Sequence, residues 1–419
     1  MTEPVPAPRP PEVPPSSDAG PISQVSFLGS EPVALGAAHH RMAARAAEVG
    51  IRRIHVLAWR DLDDIEAGGS EVHASMVARH WAAAGLWVSM RTSYAQGRPT
   101  QVWRDGYLVT RKAGRYLVFP RSVASALARR SGPRDALVEI WNGMPFFSPL
   151  WDLGPRIVLV HHQHADMWRL ALPPTLAKVG DTIERVVAPP LYRRSRVVTL
   201  SPSSRDELVD GMGLRADHVT VVPPGVADHF TPGPGRSPTP LVLGVGRLVP
   251  VKRFDLLVDA MAAVRARRPD VRLVLVGDGH EREAIEERIR RLGAQDWVEL
   301  LGRVDDRTLV ELYRRAWLVA STSLREGWGM TITEAAACGT PAVASRIAGH
   351  TDALTDGVTG LLADPGEELI GALSRLIDDD ATRLAMGEAA RRRAESLRWD
   401  ATAEAIFGVL ADEAARRRR

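Results

Sequence analysis

What most constrains this chain is an alternation that runs through it twice. From Ile51 short apolar runs, closed by glycine or a polar turn, alternate with longer stretches of helical periodicity, and the pattern begins again after TPGPGRSPTP at residues 231–240. Strands that alternate with helices build a parallel sheet covered on both faces. The spacing predicts strands over 54–59, 87–91, 136–141, 157–160, 197–200 and 218–222, with a helix from Ser70, as N-cap, to Ala84, stopped by Gly85. The second series predicts strands over 241–245, 271–276, 297–301, 317–320 and 341–344. The fold class expected is α/β, two doubly wound Rossmann-like domains facing each other, over residues 49–235 and 236–398. In such sheets ligands bind beyond the carboxyl ends of the strands.

At 419 residues, 45% apolar and 25% charged, the chain can fill two cores. A single cysteine, Cys338 in an apolar run, allows no internal disulfide, and reads as a small buried residue of a reducing compartment. Residues 1–48 open with MTEPVPAPRPPEVPPSSDAG and read as a proline-rich disordered tail. No run of about 18 apolar residues occurs, so the chain is expected in the cytoplasm, without a span. Arginines cluster at 391–393 and 416–419, while the net charge is only +3. They read as solvated helix faces, with peripheral contact at the inner face of a membrane as the alternative. Nucleic acid is excluded as a partner, because no interleaved aromatics accompany the charge.

The loops carry chemistry. Gly246-Arg247-Leu248-Val249-Pro250-Val251-Lys252-Arg253 puts a planar guanidinium and a point charge on one strand-to-helix loop, a pair suited to a diphosphate. Gly244-Val245-Gly246 lacks the third glycine and the acidic residue of a dinucleotide fingerprint. Gly277-Asp278-Gly279 and Gly302-Arg303-Val304-Asp305 open the backbone at the same sheet edge. In REGWGMTITEAAACGTP, residues 325–341, seven residues separate Glu326 from Glu334. Thr331-Ile332-Thr333-Glu334 fits a capping box with Thr331 as N-cap, and Gly339 and Pro341 mark the stop. Gly327-Trp328-Gly329 brings bare backbone to that helix start, where phosphate tends to sit, and Gly68-Gly69-Ser70-Glu71 offers a second such terminus. His161-His162-Gln163-His164 ends the strand at 157–160, with His161 on one face and His162 and His164 on the other. With no cysteine or H-E-x-x-H partner, a substrate donor or acid/base role is preferred there to metal. Asp61-Leu62-Asp63 has the form of a metal-holding D-x-D but reads as a solvated loop, and Trp59, Trp141, Asn142, Met144 and Trp168 are core or sugar platform.

In order along the chain, AGGSEVH, the His161 tract, VVPPGV, GRLVPVKRFDLLVDA, LVLVGDG, LLGRVDD and EGWGMTITEAAACGTPAVAS resemble the retaining glycosyltransferases of family 4, over about residues 51 to 410. The resemblance implies the GT-B fold, with segment 399–419 as a helix crossing back to the N-terminal domain and a basic tail. The N-terminal domain would take the acceptor and the C-terminal one the sugar nucleotide. It implies retaining transfer of a sugar from a nucleoside diphosphate sugar to an acceptor hydroxyl, with no metal or other cofactor. Arg247 and Lys252 would hold the diphosphate beside Gly246 and Gly277, with the Gly329, Met330 and Thr331 backbone on phosphate or sugar. Glu326 and Gly327 would meet the sugar, Glu334 both ribose hydroxyls, and Arg303 and Val304 the base. Gly68 and Gly69 would close over the diphosphate or acceptor, with His164 on the donor side. The family histidine falls on His161 by strand position, His162 and His164 remaining alternatives. The catalytic set implied is His161, Arg247, Lys252 and Glu326, and the acceptor a small molecule, glycan or lipid-linked sugar. Val222-Pro223-Pro224-Gly225 lacks the family asparagine, Trp328 replaces a phenylalanine and Arg253 a glycine. The alternative function is a GT-B module that binds sugar nucleotide without turnover.

Overall fold

The computed structural model describes residues 23–25, 33–128, 130, 132–165 and 167–418. Among these the first sheet comprises β1 (Ser23–Val25), β2 (Arg53–Leu57), β3 (Trp87–Thr92), β4 (Gln101–Arg104), β5 (Tyr107–Arg111), β6 (Ala136–Trp141), β7 (Arg156–Val160), β8 (Arg196–Thr199) and β9 (Val219–Val221). Their order is β1-β4-β5-β3-β2-β6-β7-β8-β9. Only β4 and β5 pair antiparallel, across Asp105-Gly106, whose φ angles of 45° and 86° suit a two-residue hairpin turn. The second sheet is wholly parallel, in the order β12-β11-β10-β13-β14-β15. Its strands are β10 (Leu241–Val245), β11 (Arg272–Val276), β12 (Val298–Gly302), β13 (Leu318–Ser321), β14 (Ala342–Ser345) and β15 (Gly360–Ala363). Winding reverses between β2 and β6 in one sheet and between β10 and β13 in the other, which opens a crevice at each carboxyl edge.

Three expectations change. Residues 1–22 and 26–32 of the expected tail lie outside the described residues, but Ala37–Val49 is a helix that buries Ala38, Met42, Ala46 and Val49 and stops at Gly50 (φ 62°). That apolar spacing is a helical stripe, and the helix Trp399–Arg418 covers it. The latter helix belongs to the first domain's core, where Ile406, Phe407 and Leu410 cluster with Ile54 and Trp81, and Trp81 Nε1 donates to the Ala403 carbonyl at 2.9 Å. Second, the helix expected from Ser70 runs over Gly69–Ala83, with Gly68 as N-cap. Glu71 causes the shift, since its carboxylate accepts from the Gly68 N–H at 2.8 Å. Third, β1, β4, β5 and β15 add strands that the spacing does not predict.

The arginine clusters lie on helices and are mostly paired, Arg391 and Arg392 with Glu388, and Arg416 and Arg417 with Glu413. No described helix is long and apolar enough to cross a membrane.

Candidate active site

The second sheet's switch point brings Arg247, Lys252 and Glu326 together. The first two lie on the loop after β10, which closes with the tight turn Pro250–Lys252, and Glu326 on the loop after β13. Lys252 Nζ donates to Glu326 Oε1, which also accepts from Ser323 Oγ at 2.8 Å. Burial pushes the Glu326 carboxyl up, but Lys252, His350 and the two donors outweigh it and hold it down at about 2. Glu326 is therefore ionised at neutral pH. Arg247 is pulled below its ordinary value by burial and then by Arg60, against the opposing pull of Glu71, Glu326 and Glu66.

Gly246 and Gly277 shape the floor. Gly277 has φ 132°, and a Cβ on it would fall 1.9 Å from the Gly246 carbonyl oxygen. Only glycine lets these two loops touch. Arg303 crosses to the other domain, where it donates to the Ile65 carbonyl, and Val304 packs on the C-terminal core.

The glutamate eight residues on is treated differently. The helix Met330–Ala337 starts from Gly329, whose φ of 115° only glycine takes readily, so Gly329 and not Thr331 is the N-cap. The expected capping box does not form. Glu334 lies in the second turn, where its Oε2 accepts from Tyr313 Oη at 2.8 Å. Burial raises this carboxyl to about 7, with Asp306 adding to the rise and the Tyr313 hydroxyl opposing it. At the far end Gly339 (φ 77°) ends the helix as the sequence indicates. The first turn, at Met330 and Thr331, leaves backbone N–H groups without helical partners, and the Met330 sulfur lies against Gly69.

The first domain supplies the opposite wall. Gly68 lies against Arg247, where a Cβ would come within 2.9 Å of the guanidinium Nε, and Gly69 lies against the Met330 sulfur. Arg247 also donates to the Glu66 carbonyl at 3.2 Å. The histidines separate by face. His161 Nε2 lies 3.3 Å from His73 Nδ1, inside the first domain, whereas His162 is the ring beside Gly327. His162 stacks on His164, which packs on Trp168 and Gly143. Burial lowers all three, His161 to about 4, His162 to about 3 and His164 well below its ordinary value. They are neutral at pH 7. His161 Nδ1, His162 Nε2, Gln163 Nε2 and His164 Nδ1 have no hydrogen-bond partner. Buried polar atoms are normally satisfied, so these four are free to meet a ligand or water.

Other readings resolve. Asp61 is buried and accepts from Arg104 and Arg111, with Asp63 joining the same cluster, so the D-x-D stretch is an internal ion-pair network and not a solvated loop. Trp141 and Trp168 are buried, donating to the Gly143 carbonyl and to Glu184, and Asn142 donates to Ser70 Oγ. Trp59 is bracketed by the Arg60 and Arg115 guanidiniums. Cys338 is buried, and burial lifts its thiol to about 12. No group of three or more acidic, histidine or cysteine side chains among the described residues is arranged to hold a metal. Sequence reasoning missed Tyr313 and His350, which act on the two glutamates from other elements and carry no local motif, and Ser323, a neighbour of Glu326 on its own loop.

Comparison with known proteins bears on the family and the fold. The family model for Glycosyltransferase Family 4 matches residues 67–230, and that for Glycosyl transferases group 1 matches residues 230–393. The D-inositol 3-phosphate glycosyltransferase of Kineococcus radiotolerans is 30% identical over 432 residues, covering 88% of this chain and 96% of that protein. Its counterpart from Acidothermus cellulolyticus is 36% identical over 406 residues, covering 84% and 87%. Among solved structures, sucrose-phosphate synthase from Thermosynechococcus elongatus superposes with a TM-score of 0.73 at 22% identity, covering 85% of this chain and 97% of that one. Anabaena HepE in complex with UDP and glucose gives 0.66 at 21% identity, covering 86% and 100%. Two Rossmann-like domains with a C-terminal helix returned to the first, and matches spanning both, have one meaning: the chain is a glycosyltransferase of family 4, with the GT-B fold.

Proposed function

We propose that this glycosyltransferase takes its sugar from a nucleoside diphosphate sugar, transfers it with retention of configuration, and needs no metal. The observation that carries the reading is the grouping of Arg247, Lys252 and Glu326 at the β10/β13 crevice, beneath the Gly68-Gly69 loop. Breaking the sugar–phosphate bond builds negative charge on the leaving diphosphate. Arg247, Lys252 and the N–H groups that begin the helix Met330–Ala337 are fixed donors that stabilise such charge where it develops. Glu326 takes sugar hydroxyls, and Glu334 accepts from the ribose. His161, His162 and His164 are neutral and so can donate to a sugar without adding a charge, with His162 nearest the Glu326–Gly327 loop. In retaining transfer the acceptor hydroxyl attacks on the face the diphosphate leaves, and a departing phosphate oxygen takes its proton.

The relatives are named for D-inositol 3-phosphate, and a phosphorylated polyol is therefore the first acceptor to try. The test is a thermal-shift screen over UDP-, GDP-, ADP- and dTDP-sugars, then turnover with that acceptor after exhaustive chelation. The anomeric configuration of the product is read by NMR. Inversion would refute retention, and a loss of turnover restored only by magnesium or manganese would refute metal independence.

A further inference from the structure

A second groove lies away from the cleft, in the first domain. Along β2 and β3 the side chains alternate: Ile54, Val56, Val88 and Met90 enter the core, while His55, Trp87, Ser89 and Arg91 face a groove of about 1680 Å³ that continues onto β4 and β5. None of the cleft residues named above lines it. The described residues that do include Arg52, Arg53, Arg91, Lys112, Arg121 and Arg130, and no aspartate or glutamate. Of these cations Arg53 is paired, with Asp135, which lies outside the lining.

Two of the lining groups are buried without satisfaction. Arg91 is 8% exposed, bonds Ser125 Oγ at 3.4 Å, and leaves its Nε without a partner among the described residues. His55 is 5% exposed, with Nδ1 2.8 Å from Ser89 Oγ and Nε2 unpartnered. A buried guanidinium without a counter-charge is costly, and here the neighbouring cations add to the cost: Arg91 is lowered by burial and then by Arg121. An anion reverses both terms. Trp87 and Trp103, edge to face at 5.2 Å, supply an apolar wall beside the cations.

We propose that this groove binds a soluble phosphate ester, with Arg91, His55 and Arg121 on the phosphate and the Trp87–Trp103 wall against the remainder of the ligand. A membrane headgroup is the weaker occupant, because Arg91 and His55 lie below the surface that a bilayer could reach.

Inorganic pyrophosphate, titrated by calorimetry into the full chain, is the probe. Because pyrophosphate should also enter the donor cleft, the titration is repeated with the Arg247→Ala/Lys252→Ala double variant, which separates this proposal from the assigned donor site. Binding should persist in that double variant, and should weaken about tenfold or more when Arg91→Gln or the exposed Arg121→Gln is added. Each of these two changes alone should leave turnover unchanged. The proposal is overturned if the double variant no longer binds pyrophosphate, or if both groove variants bind as the parent does. Flotation of the parent with phosphatidylglycerol vesicles, lost in Arg91→Gln and unaccompanied by pyrophosphate binding, would overturn it in favour of a membrane contact.

Discussion

The loop that carries Glu326 and the helix turn that carries Glu334 treat the same chemical group in opposite ways. Burial raises both carboxyls, yet Glu326 is held down at about 2 and Glu334 stands at about 7. The difference is the partner. Glu326 faces an ammonium and a hydroxyl, Glu334 one phenol. A neutral donor offsets less desolvation than a fixed charge does. The first glutamate is thus a permanent anion of the site, while the second changes charge near neutrality, where a ribose would compete for the same oxygens.

The largest effects should come from the charged loop. Arg247→Ala or Glu326→Gln should lower kcat and kcat/KM together by about 100-fold or more, because in the proposed reaction both act where charge develops or the sugar sits, as steady-state kinetics at saturating donor would read. Lys252→Met should do the same and also lower the melting temperature, since it leaves the Glu326 charge without its partner. The double variant Lys252→Met/Glu326→Gln should regain the melting temperature but not turnover. Recovery of both would mean that the pair is only structural.

The effects at Glu334 should be smaller and of another kind. Glu334→Gln should weaken donor affinity roughly tenfold to a hundredfold, the value of a hydrogen bond to a charged group. It should also remove a pH term from stability. A carboxyl whose pKa is about 7 folded and 4.5 unfolded keeps its proton longer in the folded state, so its contribution falls as pH rises from 4.5 to 7 and is constant above 7. Melting curves from pH 5 to 8 should therefore show the parent losing stability relative to Glu334→Gln over that window. The smallest change is Tyr313→Phe, which removes the one donor that lowers the Glu334 carboxyl. The pH midpoint of donor binding should move upward, with little change in its plateau at high pH.

These contrasts also mark what the sequence discloses. The strands at 136–141 and 241–245 match their predicted bounds, and the loops after β10 and β13 were legible because their cations, glycines and acids stand within a few residues of one another. The capping box failed for a local reason: Gly329 can take φ 115° and starts the helix before Thr331 is reached. Tyr313 was invisible, because it reaches Glu334 from 21 residues away and its helix carries no motif. The histidine tract gave its facing by alternation, but which ring meets the cleft depends on how Gly327 packs across from the other domain. The Asp105-Gly106 hairpin, by contrast, carried a readable turn signal between apolar runs that the βαβ reading passed over.

The most direct test is calorimetric titration of the nucleoside diphosphate sugar chosen by the screen, at pH 6 and pH 8, into the parent and Glu334→Gln. The account predicts tighter binding to the parent at pH 8 than at pH 6, proton release on binding near pH 7, and weaker, pH-independent binding to the variant. If Glu334→Gln binds as tightly as the parent at both pH values, Glu334 is not a donor ligand, and the division of labour between the two glutamates is wrong.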